Sequence, residues 1–127
     1  LHAAARGEMY PCFVNKNTRM PFMTMSDAID SVIQLMSAKN SNMISRIYHL
    51  STFSPTAEEF ANLLQKYFPD FQIQYIINNK RQQMVDSWPI DLNCGKAKNE
   101  WNWTPKYNLE TAFSDYLIPG IKKHYNI

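Results

Sequence analysis

The residues between Arg81 and Pro89 read RQQMVDSWP and crowd a guanidinium, a carboxylate, a hydroxyl and an indole into one short stretch. Such a set suits molecular recognition. A guanidinium grips a carboxylate or phosphate through two parallel N–H donors, a carboxylate steadies that guanidinium or accepts from an ammonium, and an indole offers a flat apolar wall. Arg81, Asp86 and Trp88 are therefore candidates for one side of a small-molecule site. A second guanidinium, Arg19, stands in TRMP at the mouth of an expected strand. Each also has a plainer reading: Arg81 and Asp86 as an ion pair tethering a loop, Trp88 as core, Arg19 as a surface cation paired with Asp27 or Asp30. Residue type and spacing leave both readings open.

Reacting groups are harder to find. A dinucleotide-binding turn needs clustered glycines so that the backbone can approach a pyrophosphate, but Gly7, Gly95 and Gly120 are widely spaced and no phosphate loop can be drawn. No tyrosine has a lysine four positions later; Tyr75 meets Asn79, with Lys80 one step late. His2, His49 and His124 are isolated, and neither CxxC nor HExxH spacing offers a metal site. Motif and spacing therefore assign no catalytic, cofactor-binding or metal residue in this chain.

Bulk properties narrow the class. The 127 residues are 45% hydrophobic and 19% charged, the balance of a globular domain. A net charge of +2, carried by scattered cations, argues against nucleic acid. No apolar run approaches the roughly 18 residues needed to span a membrane. Cys12 and Cys94 lie far apart with no signal peptide ahead of them, so the expectation is a soluble protein with buried thiols in a reducing cytoplasm.

The elements that would position the candidate residues can be sketched from periodicity. LHAAARGEM reads as the last turns of a helix stopped at Gly7; without an initiator methionine or a cap, it suggests a piece of something longer. YPCFV, FMTM, SRIYHL and FQIQYI are expected strands. After Ser26, a helix carries Ala28, Ile29, Val32, Ile33 and Met36 on one face, with Asp27 and Asp30 in its first turn. Met20, Met23 and Met25 suit core filling. Thr56 and Glu59 stand in the capping-box relation ahead of a helix with Phe60, Leu63, Leu64 and Tyr67 on one stripe, which stops before Pro69. Asn93 can cap a short helix through Trp101, with Trp101 and Trp103 anchoring it and the Pro105 turn. Asn108 can cap a last helix that Pro119 should kink or end, leaving Lys122, Lys123 and His124 beyond it. One α/β lobe results, without repeats or internal linkers.

Three stretches in order, TRMPFMTMSDAIDSVIQLM, RIYHLSTFSPTAEEFANLL and RQQMVDSWPIDLNCGKAKNEWNWTPKYNLETAF, resemble the C-terminal part of extended short-chain dehydrogenases/reductases, the NAD-dependent epimerase/dehydratase group. Within that group, YPCFV, PFMTM and above all DSWP are most similar to members that oxidise L-threonine. The resemblance implies that residues 1–127 form a single C-terminal substrate-binding lobe, a small mixed α/β part of a Rossmann-type enzyme whose NAD-binding half, with its glycines and Tyr/Lys pair, lies elsewhere. It implies NAD as the parent's cofactor, a homodimeric parent, and Trp88, Arg81 and Asp86, with Arg19, as walls against the substrate. The alternatives are the equivalent lobe of a nucleoside-diphosphate-sugar epimerase, with Arg19 and Arg81 on the diphosphate, and a free-standing binding module. Two positions depart from the pattern: Asn102 stands where many relatives have glycine, and Ala57 where a proline often opens the helix.

Overall fold

A parallel pair of short strands ties the chain together. β1 (Tyr10–Cys12) lies beside β2 (Ile73–Tyr75) in the register Tyr10 to Ile73, Pro11 to Gln74 and Cys12 to Tyr75. Parallel neighbours cannot be joined by a tight turn, and the crossover here carries α2 (Met25–Ser37) and α3 (Ala57–Tyr67). α1 (His2–Ala5) precedes β1; α4 (Asn79–Asp86), α5 (Gly95–Trp101) and a long C-terminal helical stretch follow β2. The computed structural model describes the backbone of residues 1–127 and every side chain except that of Asn40. The expected small mixed α/β lobe is what forms.

α3 is the core helix. Thr56 Oγ1 accepts from Glu59 N at 3.0 Å while Glu59 Oε2 accepts from Thr56 N at 2.7 Å, so the expected capping box is present. Ala61 and Leu64 are buried with Ala4, Phe71, Phe113 and Ile118, and Phe60, Leu63 and Tyr67 pack against them. Phe60 meets Phe113 edge-to-face at 4.8 Å. The helix ends at Tyr67, ahead of Pro69 as expected.

α2 is turned the other way. Its cap is Thr24, whose Oγ1 accepts from Asp27 N at 3.1 Å, so Met25 opens the helix at the surface instead of filling core, and FMTM makes only an isolated antiparallel bridge, Phe22 to Phe53. The buried residues of α2 are polar. Asp27 accepts from the backbone of Lys106 at 2.8 Å and Tyr107 at 3.3 Å. Ser31 donates to the Asp27 carbonyl at 2.6 Å and accepts from Trp103 Nε1 at 2.7 Å. With this face stapled to the 101–107 turn, Ile29, Val32, Ile33 and Met36 are each more than half exposed.

Trp101 and Trp103 are buried with Ala97 as expected, and Leu35, Ala38, Tyr48 and Leu50 pack on them. α5 ends at Asn102, whose φ of 57° and ψ of 34° are left-handed, a conformation that suits glycine and is tolerated by asparagine. Asn93 Oδ1 accepts from Gly95 N at 2.8 Å, although Cys94 occupies the cap position.

The last helix differs from expectation at Pro119. Asn108 caps α6 (Leu109–Thr111), a π-helical segment covers Ala112–Leu117, and α7 (Ile118–Tyr125) continues to Asn126. Pro119 lies inside a continuous helical stretch, directly after the π-helical segment, and does not end it. Lys122, Lys123 and His124 therefore lie in the final helical turn, where cations complement the helix dipole. SRIYHL also departs from expectation: it forms no strand. Among the described residues no helix is long and apolar enough to cross a membrane.

Candidate functional site

RQQMVD is helical, so the plainer reading of a loop tethered by an Arg81–Asp86 ion pair does not hold, and Ser87 and Trp88 follow the helix end. Asn78 Oδ1 accepts from Arg81 N at 3.1 Å and opens α4, and Val85 anchors the helix beside Cys12 and Val14. The helix decides the pairing. Steps of about 100° put residues i and i+4 on one side but turn i+5 roughly 140° away. Asp86 accordingly accepts from Gln82 Nε2 at 2.6 Å, and no ion pair joins it to Arg81 among the described residues. The Arg81 guanidinium instead lies over the Phe13 ring, 4.9 Å from its centre.

Gln82 is the residue that sequence reasoning missed. Its Nε2 also donates to Thr18 Oγ1 at 2.9 Å, and its Oε1 accepts from Asn15 N at 2.7 Å. One amide thus fastens α4 to the loop after β1 and holds the Asp86 carboxylate. The signal was present as i, i+4 spacing, but only on a stretch already known to be helical.

Trp88 lies just past α4, its backbone N–H donating to the Val85 carbonyl at 3.0 Å, and the residue is 51% exposed. It is not core. An indole half in water offers an apolar wall. Arg19 is engaged elsewhere: it donates to the Ser54 carbonyl and pairs with Glu59 at 3.1 Å, in place of Asp27 or Asp30. The Glu59 carboxyl is held below its usual range, first by the Thr56 N–H and then by Arg19. Arg19 therefore braces the start of α3, apart from α4.

Two recesses flank these residues. A cleft of about 440 Å³ runs between α1, β1 and α3, lined mainly by apolar side chains such as Val14, Phe60 and Leu64; Phe13 and Thr18 connect it to the partners of α4. Such a lining suits hydrocarbon better than a zwitterion. A more polar recess of about 400 Å³ lies beside Ser51, Ser54, Asp91 and Lys98. There Asp91 is held below the usual carboxylate range by the Leu92 N–H and then by the Ser54 hydroxyl. Cys12 is buried, whereas Cys94 is only half-buried, against the expectation for both. Among the described residues no group of three or more His, Cys, Asp or Glu could hold a metal ion.

No family model matches the chain. An epimerase/dehydratase described as uncharacterised from Staphylococcus saprophyticus is 41% identical over 94% of this chain and 37% of its own length. The mitochondrial L-threonine 3-dehydrogenase of Bos taurus is 30% identical over 91% of this chain and 31% of its own. The X-ray structure of L-threonine dehydrogenase from Clostridium difficile superposes with a TM-score of 0.90 at 31% identity, covering 97% of this chain and 39% of that one. The chain is homologous to part of the epimerase/dehydratase family. Among particular proteins, the likeness extends in both sequence and fold to part of the L-threonine dehydrogenases. It spans well under half the length of these relatives.

Proposed function

We propose that residues 1–127 are the C-terminal substrate-covering lobe of an NAD-dependent dehydrogenase that acts on L-threonine. The observation that carries this reading is the likeness to the C. difficile L-threonine dehydrogenase over 97% of this chain but only 39% of that enzyme. The activity is oxidation of the threonine β-hydroxyl to give 2-amino-3-ketobutyrate, with NAD supplying the hydride acceptor. The residues here do not fit NAD: the dispersed Gly7, Gly95 and Gly120 cannot form a phosphate-binding turn. The dinucleotide and the proton-transferring pair belong to the remainder of the enzyme.

This lobe's part is recognition. Trp88 supplies an apolar wall that excludes water. Gln82 fixes the Asp86 carboxylate, which is suited to an ammonium group, while Arg81 is suited to a carboxylate. A substrate with few atoms needs such closure, because polar contacts strengthen when water is expelled. The nucleotide-sugar reading, although the epimerase/dehydratase relative keeps it in play, is the weaker one because Arg19 is already spent on Glu59 and Ser54.

The test is a chimera in which this chain replaces the matched region of the C. difficile enzyme, assayed for NAD reduction with L-threonine. Threonine oxidation supports the reading; turnover of a nucleotide sugar with no threonine activity overturns it. The isolated chain should give no heat when titrated with NAD, and micromolar binding would contradict the assignment of the dinucleotide elsewhere.

A further inference from the structure

Packing of α1 against α7 brings together two histidines that are isolated in the sequence. His2 and His124 are both exposed, and their ring centres stand 5.8 Å apart with the planes at 90°. An imidazole nitrogen binds zinc at about 2.0–2.1 Å, so two rings that share one ion have centres roughly 5–6 Å apart. The observed spacing fits a shared ion.

The His2 ring is already oriented. Its Nδ1 lies 2.9 Å from the Tyr125 hydroxyl, which also accepts from Arg6 Nη1 at 3.0 Å. With one lone pair of that oxygen on Arg6, the other can accept a proton from Nδ1, which leaves Nε2 unprotonated and open to a metal. A partner on one ring nitrogen that fixes the other for coordination is the usual setting of a histidine ligand. The His124 ring packs edge-to-face on His2 and Tyr125 and, among the described residues, has no hydrogen-bond partner for either nitrogen. The local charge is also compatible with a dication. Glu8 matches Arg6 at 2.6 Å, Lys122 lies over the Phe68 ring at 6.0 Å, and His124 stands in the last turn of α7, whose carbonyl end favours positive charge.

We propose that His2, through Nε2, and His124 form a two-histidine site for a divalent transition ion of the zinc class, with water completing the coordination shell. Imidazole suits zinc, nickel and copper, whereas magnesium and calcium prefer oxygen ligands and should be refused. Two protein ligands make the ion exchangeable, since closed structural zinc sites use four. Its effect is to staple α1 to α7. The site shares no residue with α4 and is independent of the threonine reading.

Zinc titration of the tag-free chain, followed by calorimetry and by melting temperature, tests the site. One ion should bind per chain and raise the melting temperature, because an ion held only by the folded state stabilises it. Magnesium should do neither. His2→Gln and His124→Gln should each weaken zinc about ten-fold or more while keeping the metal-free circular dichroism, since both positions are exposed. Tyr125→Phe keeps the ring but removes the hydroxyl that orients His2, and it should weaken zinc by about ten-fold as well. Acidification should release the ion as the imidazoles take up protons. Several results overturn the proposal: no zinc binding by the folded chain, affinity that survives His124→Gln, or affinity abolished by Cys94→Ser or by acetylating the Leu1 amine. Should the variants not fold, anomalous diffraction from wild-type crystals grown with zinc decides. An ion bonded to both rings supports the site, and an ion on one ring or on neither overturns it.

Discussion

Trp103 donates from its indole Nε1 to the hydroxyl of Ser31 at 2.7 Å, a bond between groups that are both buried. This contact, with Asp27 and the 106–107 backbone beside it, sets which face of α2 points inward.

Removing one partner strands the other. Ser31→Ala should cost about 1–3 kcal/mol, the penalty for an unsatisfied buried donor. Trp103→Phe should cost more, since it also opens a cavity. Urea unfolding of both variants and their combination checks this; additive losses would mean the hydrogen bond contributes nothing.

The Glu100 carboxyl is held down to about 2, first by the Ser45 N–H and then by the Tyr48 hydroxyl. Its folded value lies below the unfolded one, so its contribution is complete above the ordinary carboxylate range. It is lost as the pH falls from 4.5 toward about 2. Amide exchange at Ile44 and Ser45 should therefore accelerate relative to the rest of the chain across that window. Glu100→Gln should show the faster relative exchange at neutral pH and no further loosening on acidification.

Asn102 has positive φ, a conformation that costs a β-branched residue about 1–2 kcal/mol. Asn102→Val should lower the denaturation midpoint by that amount. Asn102→Gly should match or exceed wild type. A stable Val variant would indicate that α5 ends differently in solution.

Trp88 tests the candidate site in the chimera. Trp88→Ala should lower kcat/KM for threonine roughly ten-fold or more, the scale of losing one to three kcal/mol of differential binding. Gln82→Ala should reduce it through a freed Asp86, whereas Arg19→Ala should act on stability with kcat/KM nearly unchanged. Wild-type kinetics for Trp88→Ala would return DSWP to a purely structural role.

Much of this fold was legible because its signals are local. The Thr56 to Glu59 box, the end of α3 before Pro69 and the buried tryptophans follow from short-range chemistry between near neighbours in the chain. The candidate residues were legible as chemical types, and the exposed Trp88 fits a wall better than a core. Their partners were not. Asp86 took Gln82 because α4 is a helix, and Arg19 took Glu59 because its own strand region bridges to Thr56, a long-range meeting that spacing does not encode. Periodicity found an apolar face on α2 but read a strand at 45–50 that does not form, because a period states that one face differs from the other, not which one is covered. That depends on what else is present to bury it. Within these 127 residues the hydrogen bonds of Asp27 and Ser31 turn the polar face inward, and no neighbouring strand reaches Arg46–Leu50 among the described residues. Tertiary structure decided these points because burial and strand pairing are properties of two surfaces, and a sequence pattern describes only one of them.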